Sequence, residues 1–296
     1  MNAERLAEVR AKIGTLEAMP AVPAIVLPLT AMLQLPPDQV NVDKVVEMVS
    51  CDGTIAAQCL RMANSPLFGR RNMETVRSAV LALGIKRVEA ILLGCCLNHI
   101  VPHGKWTFDA VTFWRHSLGC ALVSSKMAKL IGYPDPEKAY LAGLLHDLGI
   151  LVNTLACAED YGRCVEAARH GHMALHSCET EHLGFTHCQS GKMLAEHWRF
   201  STDLTQVIEF HHDLVAAPAV GPLVSLVHLS DLLCRLRDLG YGYYEAMGVE
   251  LAGDAAWAKL VEHYPALARM DLARLTMDID GSMEEIIAIV NAVFNA

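Results

Sequence analysis

Apolar residues recur three and four positions apart along almost the whole of this 296-residue chain, as at Val45, Met48 and Val49. This spacing lines one face of an α-helix, and no stretch alternates apolar and polar residues as a half-buried strand does. Prolines and the helix-start signals at positions 41–43 and 201–203 divide the pattern into separate helices. The sequence therefore predicts an all-α fold.

Composition excludes several classes of protein. With 53% hydrophobic and 19% charged residues the chain is not disordered, and a formal net charge of -9 argues against direct binding to nucleic acid or to an anionic membrane. The longest uncharged apolar run, residues 90–97, is too short to cross a bilayer. Because the first twenty residues also lack the apolar segment of a secretory signal, we expect a cytoplasmic protein. Its ten cysteines include no CxxC pair, so we expect buried thiols and no zinc-thiolate site.

One histidine and one aspartate interrupt an otherwise apolar run at residues 140–152, which reads as a buried helix. They are His146 and Asp147. Burial of an ionised aspartate without a partner costs several kcal/mol, and this run contains no lysine or arginine. A metal ion would satisfy both side chains, because neighbouring residues on a helix can flank one ion or bridge two.

Five further polar residues occupy similar positions in apolar helices. They are His116, His187, the pair His211 and His212, and Asp231. Any one of these histidines could instead be a core imidazole bonded to a backbone carbonyl. Together the five imidazoles and two carboxylates favour octahedral iron or manganese, or zinc, over a thiolate site.

The order of these residues resembles the HD superfamily of metal-dependent phosphohydrolases, with the ligand spacing of its two-metal, HD-GYP-like branch. The first hundred residues indicate one particular family within this superfamily. The segments LEAMPAVP at 16–23, VVEMVSCD at 45–52, LRMANS at 60–65 followed by LFG at 67–69, and SAVLALG at 78–84 are similar to the HDOD (HD-related output domain) family.

That resemblance implies an N-terminal helical bundle packed on an HD-like helical bundle, in a bacterial signalling protein. We place the N-terminal subdomain at residues 1–105, the HD-like metal-binding subdomain at 106–240 and a C-terminal helical extension at 241–296. The family's two-metal pattern implies two divalent ions, with iron or manganese favoured and zinc, nickel or magnesium as alternatives. It assigns His116, His146, Asp147 and Asp231 to the first ion, and the bridging Asp147 with His187, His211 and His212 to the second.

Three positions depart from the enzymes of the superfamily. Ile150 stands where many of them have a phosphate-binding lysine in an HDxGK motif. No glutamate and Gly-Tyr-Pro motif follows His212, and Thr112 stands where three-metal relatives have a glutamate. Arg115, beside His116, is a candidate replacement for the missing lysine.

The residue pattern and the resemblance together predict three alternative functions. The first is a regulatory protein whose metal ions fix its helices without rapid turnover. The second is a metal-dependent phosphohydrolase acting on a nucleotide or other phosphoester, with Asp147 bridging the catalytic metals. The third is a di-iron redox or gas sensor. The expected partner is a signalling protein or a small phosphorylated ligand, with no contact to nucleic acid or membrane. We expect the polar stretch that contains His170, His172, His176 and His182 to be solvated. We do not expect Cys188 to be a metal ligand.

Overall fold

The computed structural model describes residues 3–16, 39–50, 53–64, 73–85, 87–88, 91–92, 109–215, 221–248 and 251–294. These residues form helices and connecting turns, with no strand among them, so the all-α prediction is confirmed. The helices are α1 (Ala3–Leu16), α2 (Val42–Ser50), α3 (Gly53–Ala63), α4 (Val76–Leu83), α5 (Ala110–Ile131), α6 (Pro136–Leu145), α7 (Leu148–Ala156), α8 (Ala158–Gly171), α9 (Leu175–His182), α10 (His187–His197), α11 (Thr202–Phe210), α12 (Pro222–Leu236), α13 (Ala255–His263) and α14 (Leu272–Phe294), with 3-10 turns at Leu251–Gly253 and Pro265–Arg269.

Side-chain caps explain where several helices begin. The Asn41 side chain accepts hydrogen bonds from the first backbone N–H groups of α2, as the sequence predicted. Asp109 caps α5, and Asp135 caps α6 just before Pro136. Helix α5 ends at Gly132, whose φ of 75° is the left-handed conformation that favours glycine at this position.

The buried residues form one hydrophobic core that extends from α1 to α14. Helix α5 packs along α6, α12 and α14, and α7 packs along α10. Helix α14 turns Met283, Ile286 and Val290 inward, so its apolar face packs against its own chain. The boundary predicted between residues 105 and 106 lies outside the described residues, and the three subdomain ranges stay a prediction.

Two glycines allow α7 and α10 to pack in direct backbone contact. A Cβ atom on Gly149 would lie 1.7 Å from the carbonyl oxygen of His187, and one on Gly191 would lie 2.7 Å from a methyl group of Ile208. No side chain fits in either place. This close approach brings the beginning of α10 up to Asp147.

The run at 140–152 is not one helix, contrary to the sequence analysis. Helix α6 ends at Leu145, His146 and Asp147 form a turn, and α7 begins at Leu148. The predicted burial is correct, because both residues of the turn are almost fully buried. Within the described residues, Pro136–Ala156 is also the one stretch that is long and apolar enough to cross a membrane, but 89% of its most apolar window is buried inside the protein.

Candidate metal centre

All seven residues predicted as metal ligands meet at one place inside the helical bundle. Helix α5 supplies one histidine, the turn between α6 and α7 supplies the His-Asp pair, and the first residue of α10 supplies another histidine. The turn after α11 supplies the adjacent histidines, and the middle of α12 supplies the second aspartate. The seven are His116, His146, Asp147, His187, His211, His212 and Asp231.

Asp147 lies at the middle of the cluster and uses its two carboxylate oxygens on opposite sides. Its Oδ2 atom is 3.4 Å from Nε2 of His116 and 3.3 Å from Nε2 of His146. Its Oδ1 atom is 3.3 Å from Nε2 of His187 and 3.4 Å from Nε2 of His211. The carboxylate therefore divides the histidines into two pairs, as a carboxylate that bridges two ions would.

Asp231 completes the first side of the cluster, with Oδ1 3.3 Å from Nε2 of His116. His212 joins the second side, and its Nδ1 atom is 3.7 Å from Oδ2 of Asp231. Potential ligand atoms form two groups, each within 4.8 Å of one another: His116, Cys120, His146 and Asp231 in one, and Asp147, His187, His211 and His212 in the other. The second group holds the four residues that the resemblance assigns to the second ion, whereas the first group holds three of the four assigned to the first ion, with Cys120 and without Asp147.

Four of the imidazoles are held by their Nδ1 atoms, three by backbone carbonyls and His187 by the Glu179 carboxylate. Backbone carbonyl oxygens accept from His116 (Leu239, 2.5 Å), His146 (Gly143, 2.8 Å) and His211 (Val207, 3.1 Å). A carbonyl can only accept, so each Nδ1 carries the proton, and in the neutral ring Nε2 presents its lone pair to the centre. Metal-binding histidines have this arrangement.

The inward-facing atoms need a cation. The Nε2 atoms of His187 and His211 are 3.3 Å apart although both rings are held through Nδ1. Two lone pairs at that distance repel, unless a proton or a metal ion lies between them. Nε2 of His146 and Oδ1 of Asp147 are buried without a hydrogen-bond partner, which is costly for polar atoms.

The separations also match those of atoms around an ion. Donor atoms about 2.0–2.1 Å from one metal, at angles between octahedral and tetrahedral values, lie about 2.8–3.4 Å apart. The nitrogen-oxygen separations of 3.3–3.4 Å around Asp147 are at the upper end of this range. The residues present therefore fit a metal centre.

Without a metal ion, protons would balance the charges of the cluster. Burial lowers the pKa of His116, but the carboxylates of Asp147 and Asp231 outweigh burial and raise it to about 10. Burial likewise lowers the pKa of His211, whereas Cys188 and Asp147 raise it to about 10. Burial alone dominates at His146 and lowers its pKa to about 4. An ion that binds here must displace the protons.

Glu179 of α9 holds His187 and was not identified from the sequence. Its Oε2 atom accepts from the backbone N–H (2.8 Å) and from Nδ1 (2.6 Å) of His187, and its Oε1 atom accepts from Nδ2 of Asn153 at 3.4 Å. Glu179 and Asn153 are fully buried. A carboxylate behind a ligand histidine fixes the ring and raises its basicity.

A second group missed by the sequence analysis contacts the two aspartates. Arg235 donates from Nε to Oδ1 of Asp231 at 3.0 Å, and its Nη1 donates to Glu245 at 2.7 Å. The Tyr241 hydroxyl donates to Oδ2 of Asp147 at 2.7 Å. Because Arg235 lies four residues after Asp231 on the same apolar helix, that pair could have been predicted from its spacing. Tyr241 gives no such signal.

The predictions for the neighbouring side chains are partly wrong. His176 was expected to be solvated, but its ring stacks on His212 with centroids 4.2 Å apart and is half-buried. His170 and His172 are exposed, as expected. The Sγ atom of Cys188 is 3.9 Å from both nitrogens of His211, so the thiol lies beside the ring and not on the axis of the Nε2 lone pair.

Comparison with known proteins gives one family match. The family model of the HDOD domain matches residues 19–214. An uncharacterized protein of Treponema pallidum (strain Nichols) is 24% identical over 226 residues, which are 75% of this chain and 43% of that protein. The chain thus spans less than half the length of this curated relative.

Solved structures share the fold over nearly the full length. An HDOD domain protein of unknown function from Geobacter sulfurreducens is 27% identical, with a TM-score of 0.80 and 98% of each chain covered. A predicted phosphohydrolase from Shewanella amazonensis SB2B is 21% identical, with a TM-score of 0.68, and 95% of this chain and 97% of that chain are covered. At that identity the second likeness concerns the fold alone.

Proposed function

The chain belongs to the HDOD family, and on this premise we propose that it is a regulatory protein that binds two divalent metal ions without rapid turnover. The observation that carries the proposal is the burial of the converging ligands. Six of the seven are at most 1% exposed, and the side chain of the seventh, His212, is 6% exposed. A phosphoester would need an open position on a metal to react, and these side chains leave little room for one.

The ions would hold together helices that are distant in the sequence. Ligands come from α5, the α6–α7 turn, α10, the turn after α11, and α12, so each ion would cross-link several elements. Binding to the folded state alone adds directly to its stability. Iron and manganese are the favoured metals, and a signalling protein or a small phosphorylated ligand is the proposed partner.

The residue that replaces the phosphate-binding lysine of related enzymes supports a regulatory role. Ile150 is fully buried on α7, so no cation reaches a substrate from that helix. The nearest cation to the aspartates, Arg235, is already bonded to Asp231 and Glu245. It is therefore not free to bind a phosphoryl group.

A phosphohydrolase is the second candidate, favoured by a groove beside the centre. The groove has a volume of about 480 Å³ and is lined by Thr112, Arg115, Arg235 and Tyr243 among others. Arg115 is half-buried and has no ion partner among the described residues, so it could bind a phosphoester that reaches the metals past Arg235. The name of the Shewanella amazonensis neighbour is consistent with this candidate.

Elemental analysis of untagged protein, purified with and without oxygen, tests metal binding. Two equivalents of iron or manganese would support the proposal, and protein that contains no metal would refute it. A phosphoester screen with added manganese or iron then separates the two candidates. We expect background rates. Steady turnover that is lost in Asp147→Asn and kept in Asp278→Asn, a change at an exposed aspartate on α14, would establish the enzyme instead. An oxygen-dependent visible absorption band would favour the di-iron sensor.

A further inference from the structure

The segment after α12, residues 238–247, contacts the metal centre at three points, and we call it the metal strap. The Leu239 carbonyl accepts from His116, the Tyr241 hydroxyl donates to Asp147, and Glu245 binds Arg235, which binds Asp231. Leu239, Tyr241 and Glu245 are buried, with exposures of 1%, 2% and 8%. Three candidate ligands are thus each linked to one short segment.

The far end of the strap is attached to the turn between α8 and α9. The backbone N–H of Ala246 donates to the His172 carbonyl at 2.8 Å, and Nδ1 of His172 donates to the Tyr244 carbonyl at 3.0 Å. The Tyr243 hydroxyl donates to the Met173 carbonyl at 3.1 Å. None of these bonds involves a candidate ligand.

The strap has little structure of its own. No helix lies between Leu236 and Leu251 among the described residues, and the chain reverses through the left-handed conformations of Asp238 (φ 58°) and Gly242 (φ 80°). A segment without repeating backbone hydrogen bonds opens at low free energy unless other contacts hold it. Its position therefore depends on the two sets of contacts just described.

We propose that the metal strap closes on the centre when the ions are bound and opens when they are removed. The inference rests on the proposed binding of two ions. The ions would fix His116 with its Nδ1 toward Leu239, and would fix the Asp147 carboxylate with Oδ2 toward Tyr241. Nε2 of His146 and Oδ1 of Asp147 are buried in the structure with no hydrogen-bond partner, so ions bound to them would stabilise the arrangement that the strap contacts.

Such a strap would couple metal binding at the buried centre to a change at the protein surface. Tyr241 is buried, whereas Tyr244, three residues on, is 72% exposed. Both tyrosines belong to the strap, and Tyr244 lines the same groove as Arg115. Opening would move Tyr244 and so change this groove.

Hydrogen exchange of the strap amides, with and without bound manganese, tests the coupling. We expect removal of manganese to speed exchange at residues 239–247 about tenfold, the effect of losing one hydrogen bond to a charged group. Tyr241→Phe should abolish most of this metal dependence. Tyr243→Phe, which removes only the bond to Met173, should speed exchange equally with and without metal. Glu245→Gln removes the ionic contact to Arg235 and should weaken the metal dependence even if Tyr241→Phe releases its ions.

The outcomes separate the two proposals. Failure of the wild-type protein to bind manganese refutes the proposed function. Bound manganese with strap exchange that does not change refutes the strap alone. Equal loss of the metal dependence in Tyr241→Phe and Tyr243→Phe would also refute it, because the coupling would not pass through Asp147.

Discussion

Replacement of Glu179 by glutamine tests the metal centre without altering a proposed ligand. The carboxylate accepts two hydrogen bonds from His187, at 2.6 Å and 2.8 Å, in a fully buried position. Glutamine removes the negative charge behind the ring. If its amide N–H₂ group turns toward Nδ1, the ring proton moves to Nε2 and blocks the lone pair that faces Asp147.

Loss of such a partner typically lowers metal affinity 10–100-fold, which is about 1.4–2.7 kcal/mol. We expect Glu179→Gln to reach that range at the second ion, with the first ion retained. Competition with a chromophoric chelator, together with elemental analysis, measures both occupancies. Glu181→Gln, at an exposed position two residues along α9, is the matched control and should bind like the wild type. Unchanged affinity for both ions in folded Glu179→Gln protein would refute the role given to His187.

Two further predictions concern packing and pH. Gly149→Ala places a methyl group 1.7 Å from the carbonyl oxygen of His187 and should lower the free energy of unfolding by about 3 kcal/mol. The control Gly281→Ala, in open space on α14, should change this free energy by about 1 kcal/mol or less. Urea unfolding measures both, and equal effects of the two substitutions would contradict the importance of the close contact. The pKa of His116 and of His211 is raised from 6.5 to about 10 in the absence of metal, so their contribution to stability is complete below pH 6.5 and is lost as pH rises toward 10. Since metal must displace those protons, the difference in melting temperature between loaded and chelator-treated protein should widen over the same interval, and a constant difference would contradict this.

The sequence was sufficient to identify the seven converging side chains, because each interrupts an apolar run. A lone histidine in an apolar helix has few favourable partners, and several such histidines with two aspartates favour one shared site. Glu179 could not be identified in this way, because α9 carries polar residues on most of its surface and contains no apolar run. Its position four residues after the buried Leu175 places it on the inward face, and that spacing was the available signal.

The break between α6 and α7 could not be predicted from local preferences. No proline or glycine separates Leu145 from Leu148, and the run reads as one helix. In this turn both oxygens of Asp147 lie within 3.4 Å of the imidazoles of four histidines. Tertiary contacts with α5, α10 and α11 therefore determine the local conformation.

The spread of the ligands along the chain has a consequence for biosynthesis. The first candidate ligand is His116 and the last is Asp231, while the tyrosine that contacts the bridging carboxylate is Tyr241. During translation the coordination sphere stays incomplete until α12 has left the ribosome. Uptake of the proposed ions would thus be a late step in maturation, and nascent chains that stop before α12 would expose several imidazoles of the cluster without Asp231.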